Sequence, residues 1–248
     1  MIPVTSLQNP IVKLVRSLEE KKGRREHGLF AAEGIAMLER ALACGWTPEH
    51  VLATKPVALW DDVKQTTVSK EVMSALSAQK NPHDVMATFK MRYERGVTPE
   101  GTWLALEEIR DPGNLGTILR TADAANISGI VLAGECCDPY SRESVRASTG
   151  SVFRSRIAHM PSAKLADLCK GWPGDCVGAA AKGGVDYRWN YAQPTLIVLG
   201  SEARGLSEAV AKACKKLVRI PMVEGVESLN VATSAALLMY EVQRPRLS

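Results

Sequence analysis

One arginine near the middle of the chain has a position that burial does not explain. The segment Glu107–Leu132 follows a predicted strand and is typical of a turn and then a helix with an inward apolar stripe, and Arg120 lies off that stripe. The planar guanidinium of an arginine is suited to gripping a phosphate. A solvent-exposed helix arginine fits the pattern as well, so both interpretations stay open here. Asn114, at the start of the same helix, can serve as its N-cap.

A glutamate follows a buried strand later in the chain. The segment Thr195–Ser207 begins with an apolar strand and turns at Gly200, a residue that lets a backbone or a ligand come close. Glu202 comes next, and an ordinary strand-to-helix turn does not need it. Glu202 is therefore either a solvent-facing turn residue or part of a site.

The last long apolar run, Ile220–Val242, begins as a loop and ends as a helix. Ser228 and Asn230 stand at the mouth of that helix, where polar residues act as caps. Two apolar stripes run along the helix beyond them, which predicts that it is packed on both faces. Taken alone, this pattern predicts a C-terminal core helix with Ser228 as its N-cap.

The elements that must position these residues alternate between strands and helices from Trp103 to the last helix. This alternation predicts an α/β fold with a mostly parallel sheet covered by helices. It includes a helix around Glu143–Ala147 and a β-like run at Val152–Ile157. Ligands of such sheets bind outside the carboxyl ends of the strands, where the three stretches described above are expected to lie.

The N-terminal part of the chain is typical of a small α/β unit of its own. Asn9 and Pro10 predict the start of its first helix. The far end of that helix carries four clustered cations, which indicate either a solvated helix end or a contact with nucleic acid: Lys21, Lys22, Arg24 and Arg25.

A second helix is predicted from Gly34 to Ala43, with three apolar residues facing inward: Ile35, Leu38 and Leu42. The stretch from Arg92 to Thr102 is polar and is interrupted by glycine and proline. Such stretches are typical of domain boundaries, so we place the boundary there.

Composition restricts the function less than these patterns do. A chain of 248 residues suits one large domain or two small ones, and a net charge of +4 permits a nucleic-acid partner without requiring one. The six cysteines show no C-x-x-C pair and no histidine at metal spacing, so we expect reduced thiols and no metal site. The first residues do not resemble a signal peptide and no apolar run could span a bilayer, which favours a cytoplasmic location.

The three stretches, in this order, resemble the motifs of a known family. DPGNLGTILRTADAA, LGSEARGLS and IPMVEGVESLNVATSAALLMYE are similar to the motifs of the SpoU, or TrmH-like, family of RNA ribose 2'-O-methyltransferases in the SPOUT superfamily. The N-terminal stretches QNPIVKLVRSL, KGRREHGLFAAEG and SAQKNPHDVMA resemble the RNA substrate-binding domain that commonly precedes that catalytic domain. The chain departs mildly from the motif at Asp111 and at Asn126–Ser128, and neither departure removes a proposed catalytic residue.

The resemblance implies a fold and a cofactor. An RNA substrate-binding domain at 1–95 and a linker at 96–102 would precede a trefoil-knotted SPOUT catalytic domain at 103–248, and two copies would form a homodimer through helices beside the knot. The cofactor would be S-adenosylmethionine, bound by the main-chain groups of Leu199, Gly200, Ile220, Met222 and Leu229. The reaction site would consist of Asn114, Arg120, Glu202, Ser228 and Asn230.

The same resemblance suggests roles for these side chains. Because a guanidinium stays protonated, we expect Arg120 to anchor the phosphate beside the target nucleotide and to stabilise the developing alkoxide rather than to act as a base. Ser228 and Asn230 would align the same group, and Glu202 would orient Arg120 or Asn114.

The expected partner is RNA. The separate N-terminal domain favours ribosomal RNA over transfer RNA, and no DNA or membrane partner is expected. The cation cluster would contact backbone phosphates. The alternative is an RNA-binding assembly factor that keeps the fold without catalysis. A nucleotide-dependent dehydrogenase is disfavoured because no G-x-G-x-x-G follows a strand.

Overall fold

The computed structural model describes residues 2–60, 63–77 and 79–246, which form two compact units. The first unit runs to Arg92 and also takes in Asp138–Arg154. The second consists of Tyr93–Cys137 together with the chain from Ser155 onward. The boundary expected at 96–102 would leave residues 138–154 in the C-terminal domain, so the structure differs from the expectation in this segment.

The first unit is built around a four-stranded sheet. Its strands are β1 (Leu29–Glu33), β2 (His50–Ala53), β3 (Gln65–Thr67) and β4 (Val85–Lys90), in the spatial order β1-β4-β2-β3. Strands β2 and β3 are parallel, and β4 is antiparallel to both β1 and β2. Its helices are α1 (Pro10–Ser17), α2 (Lys21–His27), α3 (Ile35–Ala43), α4 (Lys70–Leu76) and, from the later segment, α6 (Arg142–Ser148).

The start of α1 is set by Asn9, as predicted. The Asn9 side chain accepts a hydrogen bond from the backbone N–H of Ile11 at 3.0 Å. The prediction that the basic stretch continues this helix is wrong, because the stretch forms the separate helix α2. A Cβ atom on Gly23 of α2 would lie 2.0 Å from the carbonyl oxygen of Ser17, so glycine is what lets the two helices come this close.

Aromatic contacts hold the segment 138–154 in the first unit. The ring of Phe30 lies 4.6 Å from that of Tyr140 and 5.8 Å from that of Phe153, measured between centroids. The indole nitrogen of Trp46 donates a hydrogen bond to the carbonyl oxygen of Phe153 at 2.8 Å. The segment therefore shares the core of the first unit although it follows a strand of the second.

Two local predictions were wrong. In α3, Leu38 is buried as predicted, but Ile35 and Leu42 are 45% and 42% exposed. Helical spacing places these three side chains on neighbouring positions, and only the centre of that stripe reaches the core. The β-like run at 152–157 is a 3₁₀ turn at Ser151–Phe153 followed by a strand that begins at Ile157.

The second unit is a seven-stranded parallel sheet with helices. Its strands are β5 (Thr102–Glu107), β6 (Gly129–Ala133), β7 (Ile157–Met160), β8 (Cys176–Ala179), β9 (Val185–Asp186), β10 (Thr195–Leu199) and β11 (Lys216–Arg219). Their spatial order is β7-β6-β5-β10-β8-β11-β9, and each neighbouring pair is parallel. The helices are α5 (Pro112–Ala124), α7 (Ser162–Gly171), α8 (Glu208–Ala213) and α9 (Val231–Gln243). The predicted α/β fold is confirmed.

This strand order determines where a site can form. Strands β5, β10, β8 and β11 are consecutive neighbours, so the loops that follow them open at one edge of the sheet. The stretches singled out from the sequence follow β5, β10 and β11. Across the described residues, no helix has both the length and the apolar character needed to cross a membrane.

Candidate active site

Three of the predicted reaction-site residues are joined by hydrogen bonds. The side-chain nitrogen of Asn114 donates to the carboxylate of Glu202 at 3.0 Å. The side-chain oxygen of Asn114 accepts from the side-chain nitrogen of Asn230 at 2.9 Å. Asn114 therefore links the loops after β10 and β11, although the three residues are far apart in the sequence.

Two helix caps hold this network in place. Asp111, not Asn114, caps α5, because its Oδ1 accepts the backbone N–H of Asn114 at 2.6 Å. The side chain of Asn114 is thereby left for the network. Asn230, not Ser228, caps α9, accepting from the backbone N–H groups of Ala232 and Thr233 at 2.8 and 3.4 Å. The predicted capping roles of Asn114 and Ser228 are wrong.

The caps also fix which way each amide points. Oδ1 of Asn230 faces two backbone donors, so its Nδ2 must point to Asn114. That contact requires Oδ1 of Asn114 to face Asn230 and its Nδ2 to face Glu202, which accepts. The backbone N–H groups at the start of α9 thus determine the orientation of both side-chain amides.

A cavity of about 710 Å³ opens at the same edge of the sheet. All five residues predicted to bind the cofactor line it, as do two reaction-site residues: Leu199, Gly200, Ile220, Met222, Leu229, Glu202 and Ser228. Its volume is in the range of pockets that bind small molecules and cofactors. Glu202 belongs to both the cavity wall and the hydrogen-bond network, so the two adjoin.

Gly200 is required by the turn that forms one wall of the cavity. A Cβ atom on this residue would lie 2.0 Å from the backbone carbon of Gly205. The turn is closed by a hydrogen bond from the N–H of Gly205 to the carbonyl oxygen of Ser201 at 2.8 Å. The close approach predicted at Gly200 is confirmed, and the partner is the backbone of its own turn.

A buried carboxylate that the sequence analysis missed holds the next helix. Glu107, at the end of β5, is 6% exposed and accepts hydrogen bonds from the backbone N–H and the hydroxyl of Ser207, at 2.9 and 2.7 Å. Ser207 is in turn the N-cap of α8. An acidic residue that ends β5 directly after the apolar run 103–106 was the available signal.

Arg120 is not part of the hydrogen-bonded network. It is exposed on α5, six positions after Asn114, which corresponds to about 9 Å along the helix axis. Within the part of the chain that the structure describes, its guanidinium has no hydrogen-bond or ion-pair partner. The charge is therefore available to a ligand.

Cys137 lies near the network but is a poor nucleophile. Burial, and then the neighbouring Cys136, Asp111 and Glu202, raise the pKa of the Cys137 thiol to about 12. The thiol is therefore protonated at neutral pH.

The predicted cation cluster loses one member. Arg24 is only 3% exposed, and its guanidinium bonds to Asp138 and to the carbonyl oxygens of Leu18 and Glu19, each at 2.8 Å. Its charge is thus taken up inside the first unit, and its predicted role in RNA binding is wrong. The other three cations are exposed: Lys21, Lys22 and Arg25.

Comparison with known proteins identifies both parts of the chain. Residues 101–240 match the SpoU rRNA Methylase family, and residues 9–87 match the MRM3-like substrate binding domain. The first match covers the sheet, the hydrogen-bonded network and the cavity of the second unit.

Individual relatives span nearly the whole chain. An uncharacterised tRNA/rRNA methyltransferase of Synechocystis is 35% identical, over 97% of this chain and 93% of the relative. A 23S rRNA (uridine(2479)-2'-O)-methyltransferase of Streptomyces viridochromogenes is 30% identical, over 93% of this chain and 88% of the relative. A crystal structure of an AdoMet-bound rRNA methyltransferase from Sinorhizobium meliloti is 37% identical with a TM-score of 0.92, covering 100% of this chain and 99% of that one. The chain therefore belongs to the SpoU rRNA methylase family.

Proposed function

We propose that this chain transfers a methyl group from S-adenosylmethionine to the 2'-hydroxyl of a ribose in structured RNA, with ribosomal RNA as the substrate and transfer RNA as the second choice. The observation that carries the proposal is that one carboxylate, Glu202, belongs both to the cavity and to the Asn114–Asn230 network. A place for a methyl donor and a set of oriented polar groups therefore adjoin. The relatives named above are methyltransferases, so the alternative of an inactive assembly factor has no support.

The residues of the cavity fit the cofactor. The wall combines apolar side chains with the exposed main chain of the turn after β10, which can bond an adenine and a ribose without a dedicated acidic residue. Leu199, Gly200, Ile220, Met222 and Leu229 would hold it. When bound, S-adenosylmethionine supplies an electrophilic methyl group on a sulfonium.

The network supplies oriented groups for the ribose hydroxyl. Asn230 uses one hydrogen of its Nδ2 on Asn114, so the second hydrogen is available to the oxygen of the hydroxyl as negative charge develops there. Ser228, at the cavity wall, can contribute its hydroxyl to the same oxygen. Glu202 acts by orienting Asn114.

Arg120 is assigned to the phosphate beside the target nucleotide. Its guanidinium is exposed and can form two parallel hydrogen bonds with a phosphate. Holding the phosphate fixes the ribose relative to the methyl donor, and placing the reacting groups is a major part of catalysis for such a transfer.

The first unit is assigned to RNA binding. Its match to a substrate-binding domain and the exposed cations Lys21, Lys22 and Arg25 support contacts with backbone phosphates. From the family resemblance we also propose that the chain forms a homodimer through the second unit, that its C-terminal segment forms a trefoil knot, and that the protein is cytoplasmic.

Two experiments test the function. Mapping ribose methylation over all cellular RNA, with and without the gene, should reveal one 2'-O-methyl group that is lost and then restored by the wild-type gene. Isothermal titration with S-adenosylmethionine should give a heat of binding that saturates at one cofactor per chain. An unchanged methylation map together with no heat of binding would favour an RNA-binding assembly factor.

A further inference from the structure

Three cysteines away from the proposed active site converge in the second unit. Cys169 lies in α7, Cys176 begins β8 and Cys214 is the C-cap of α8. Their Sγ atoms all lie within 4.8 Å of one another. Cys169 and Cys176 are buried, and Cys214 is partly exposed. These three residues are called the thiol triad below.

The thiol triad is assembled by tertiary structure. The expectation of no metal site rested on spacing along the chain, which detects ligands that share one loop or one helix. Here the sulfurs come from one helix, one strand and the residue that caps the end of a second helix. The fold therefore creates a cluster of ligand atoms that the spacing of the cysteines does not indicate.

We propose that the thiol triad binds one soft, thiophilic cation, Zn²⁺ or Cu⁺, through three thiolate sulfurs. Thiolates select such ions over hard cations such as Mg²⁺ or Ca²⁺. On binding, each S–H bond is replaced by a metal–sulfur bond and each proton passes to solvent. In the described part of the chain this group of ligands contains no histidine or carboxylate, so it is a site of sulfur alone.

The distances permit this coordination. With metal–sulfur bonds of about 2.3 Å and tetrahedral angles, two sulfurs on one zinc ion lie about 3.8 Å apart. The sulfurs of the triad already lie within 4.8 Å of one another. They must therefore close by no more than about 1 Å, which small rotations of the side chains provide. Cu⁺ is satisfied by three sulfurs, and Zn²⁺ would add a water on the exposed side of Cys214.

A bound ion would tie α8 to the sheet beside the cavity. A Cβ atom on Gly178 of β8 would lie 3.0 Å from Sγ of Cys214 and 2.7 Å from Cδ1 of Leu206, so these groups are in close contact. Leu206 lines the cavity. Because an ion that binds only the folded chain stabilises it, metal loading should raise Tm as well as fill the site.

Metal binding is tested on the full-length chain, reduced and stripped of metal by a chelator. One sample is titrated with Zn²⁺ and another with Cu⁺, and retained metal is measured by elemental mass spectrometry after desalting. We expect one ion per chain in at least one of the two samples, and at least a tenfold loss of retained metal in Cys169→Ser, Cys176→Ser and Cys214→Ser. Cys44→Ser, which changes a partly exposed cysteine outside the triad, should retain the ion.

X-ray absorption spectroscopy of the metal-loaded wild-type chain identifies the atoms bound to the metal. It therefore tests the site even if the serine variants do not fold. Three sulfur neighbours at about 2.3 Å support the site, with an added oxygen for zinc alone. A shell of nitrogen and oxygen only would overturn the proposal. So would an ion that the three serine variants keep, or a wild-type chain that retains neither metal.

Discussion

Replacing Asn230 by aspartate separates the two contacts that this side chain makes. Its Oδ1 caps α9, while its Nδ2 donates to Asn114. A carboxylate caps a helix about as well as an amide, and its charge suits a helix N-terminus. It has no hydrogen to donate, so the contact with Asn114 becomes one between two oxygens. The donor assigned to the ribose oxygen is lost in the same step.

The expected magnitudes differ between stability and catalysis. In Asn230→Asp the gain from the helix dipole, about 0.3–1 kcal/mol, offsets the repulsion, so the free energy of unfolding should change by less than about 1 kcal/mol. For a chain of this size that is a shift in Tm of at most about 4 °C. The rate of methyl transfer should fall about 10²–10³-fold, as when a donor to a developing oxyanion is removed. Asn230→Ala should lose a similar factor in rate and also about 1 kcal/mol of stability.

Three measurements on wild type and both variants check this reasoning. Thermal unfolding gives the stability, calorimetry gives the affinity for S-adenosylmethionine, and single-turnover transfer gives the rate. Cofactor affinity should be nearly unchanged in both variants. An aspartate variant that transfers methyl groups at more than a third of the wild-type rate would refute the donor role. One that is no more stable than the alanine variant would refute the capping role.

Further substitutions test the other parts of the site. Arg120→Ala should abolish methyl transfer while cofactor affinity measured by calorimetry stays nearly intact, and substantial turnover would remove Arg120 from the reaction. Gly200→Ala should weaken cofactor binding at least tenfold, because the added Cβ would meet the backbone of Gly205. Gly96→Ala is the control, since the space around its Cβ is open and the cofactor should bind normally. Equal cofactor affinities in the two variants would show that the turn adapts. Changing Lys21, Lys22 and Arg25 to glutamine should make RNA binding less sensitive to salt. The slope of log K against log salt concentration should fall in magnitude by about 0.7–0.9 for each lost phosphate contact, and an unchanged slope would place the cluster outside the interface. Arg24→Ala should instead lower the free energy of unfolding by about 3–5 kcal/mol, since it leaves Asp138 buried without its partner, and normal thermal stability would contradict that account.

The sequence predicted those structural features that are determined by residues close together in the chain. The Asn9–Pro10 pair placed the start of α1 because a cap and a first-turn proline act within one turn of helix. The alternation of apolar strands and helices predicted the parallel sheet, since each element shows its own period. The three motif-bearing loops were expected at one edge of the sheet because the carboxyl ends of parallel strands meet there.

Contacts between distant residues could not be predicted in this way. In the sequence, Arg24 is one of several cations in a basic run. Only its contact with Asp138, 114 positions away, shows that it is a buried structural arginine. The segment 138–154 alternates like its neighbours, but its aromatic residues fit the core of the first unit. In the site, Asp111 and Asn230 act as caps in place of Asn114 and Ser228, a choice made by hydrogen-bond geometry among adjacent polar residues.

The position of the transferred methyl group tests the central claim most directly. The purified chain is incubated with S-adenosylmethionine labelled in its methyl group and with ribosomal RNA from cells that lack the gene, and the RNA is digested to nucleosides for mass spectrometry. The label should appear on the 2'-oxygen of a single ribose, and Asn230→Asp should lower the initial rate of its appearance about 10²–10³-fold. Label on a base, or no labelled nucleoside although the cofactor binds, would contradict the account.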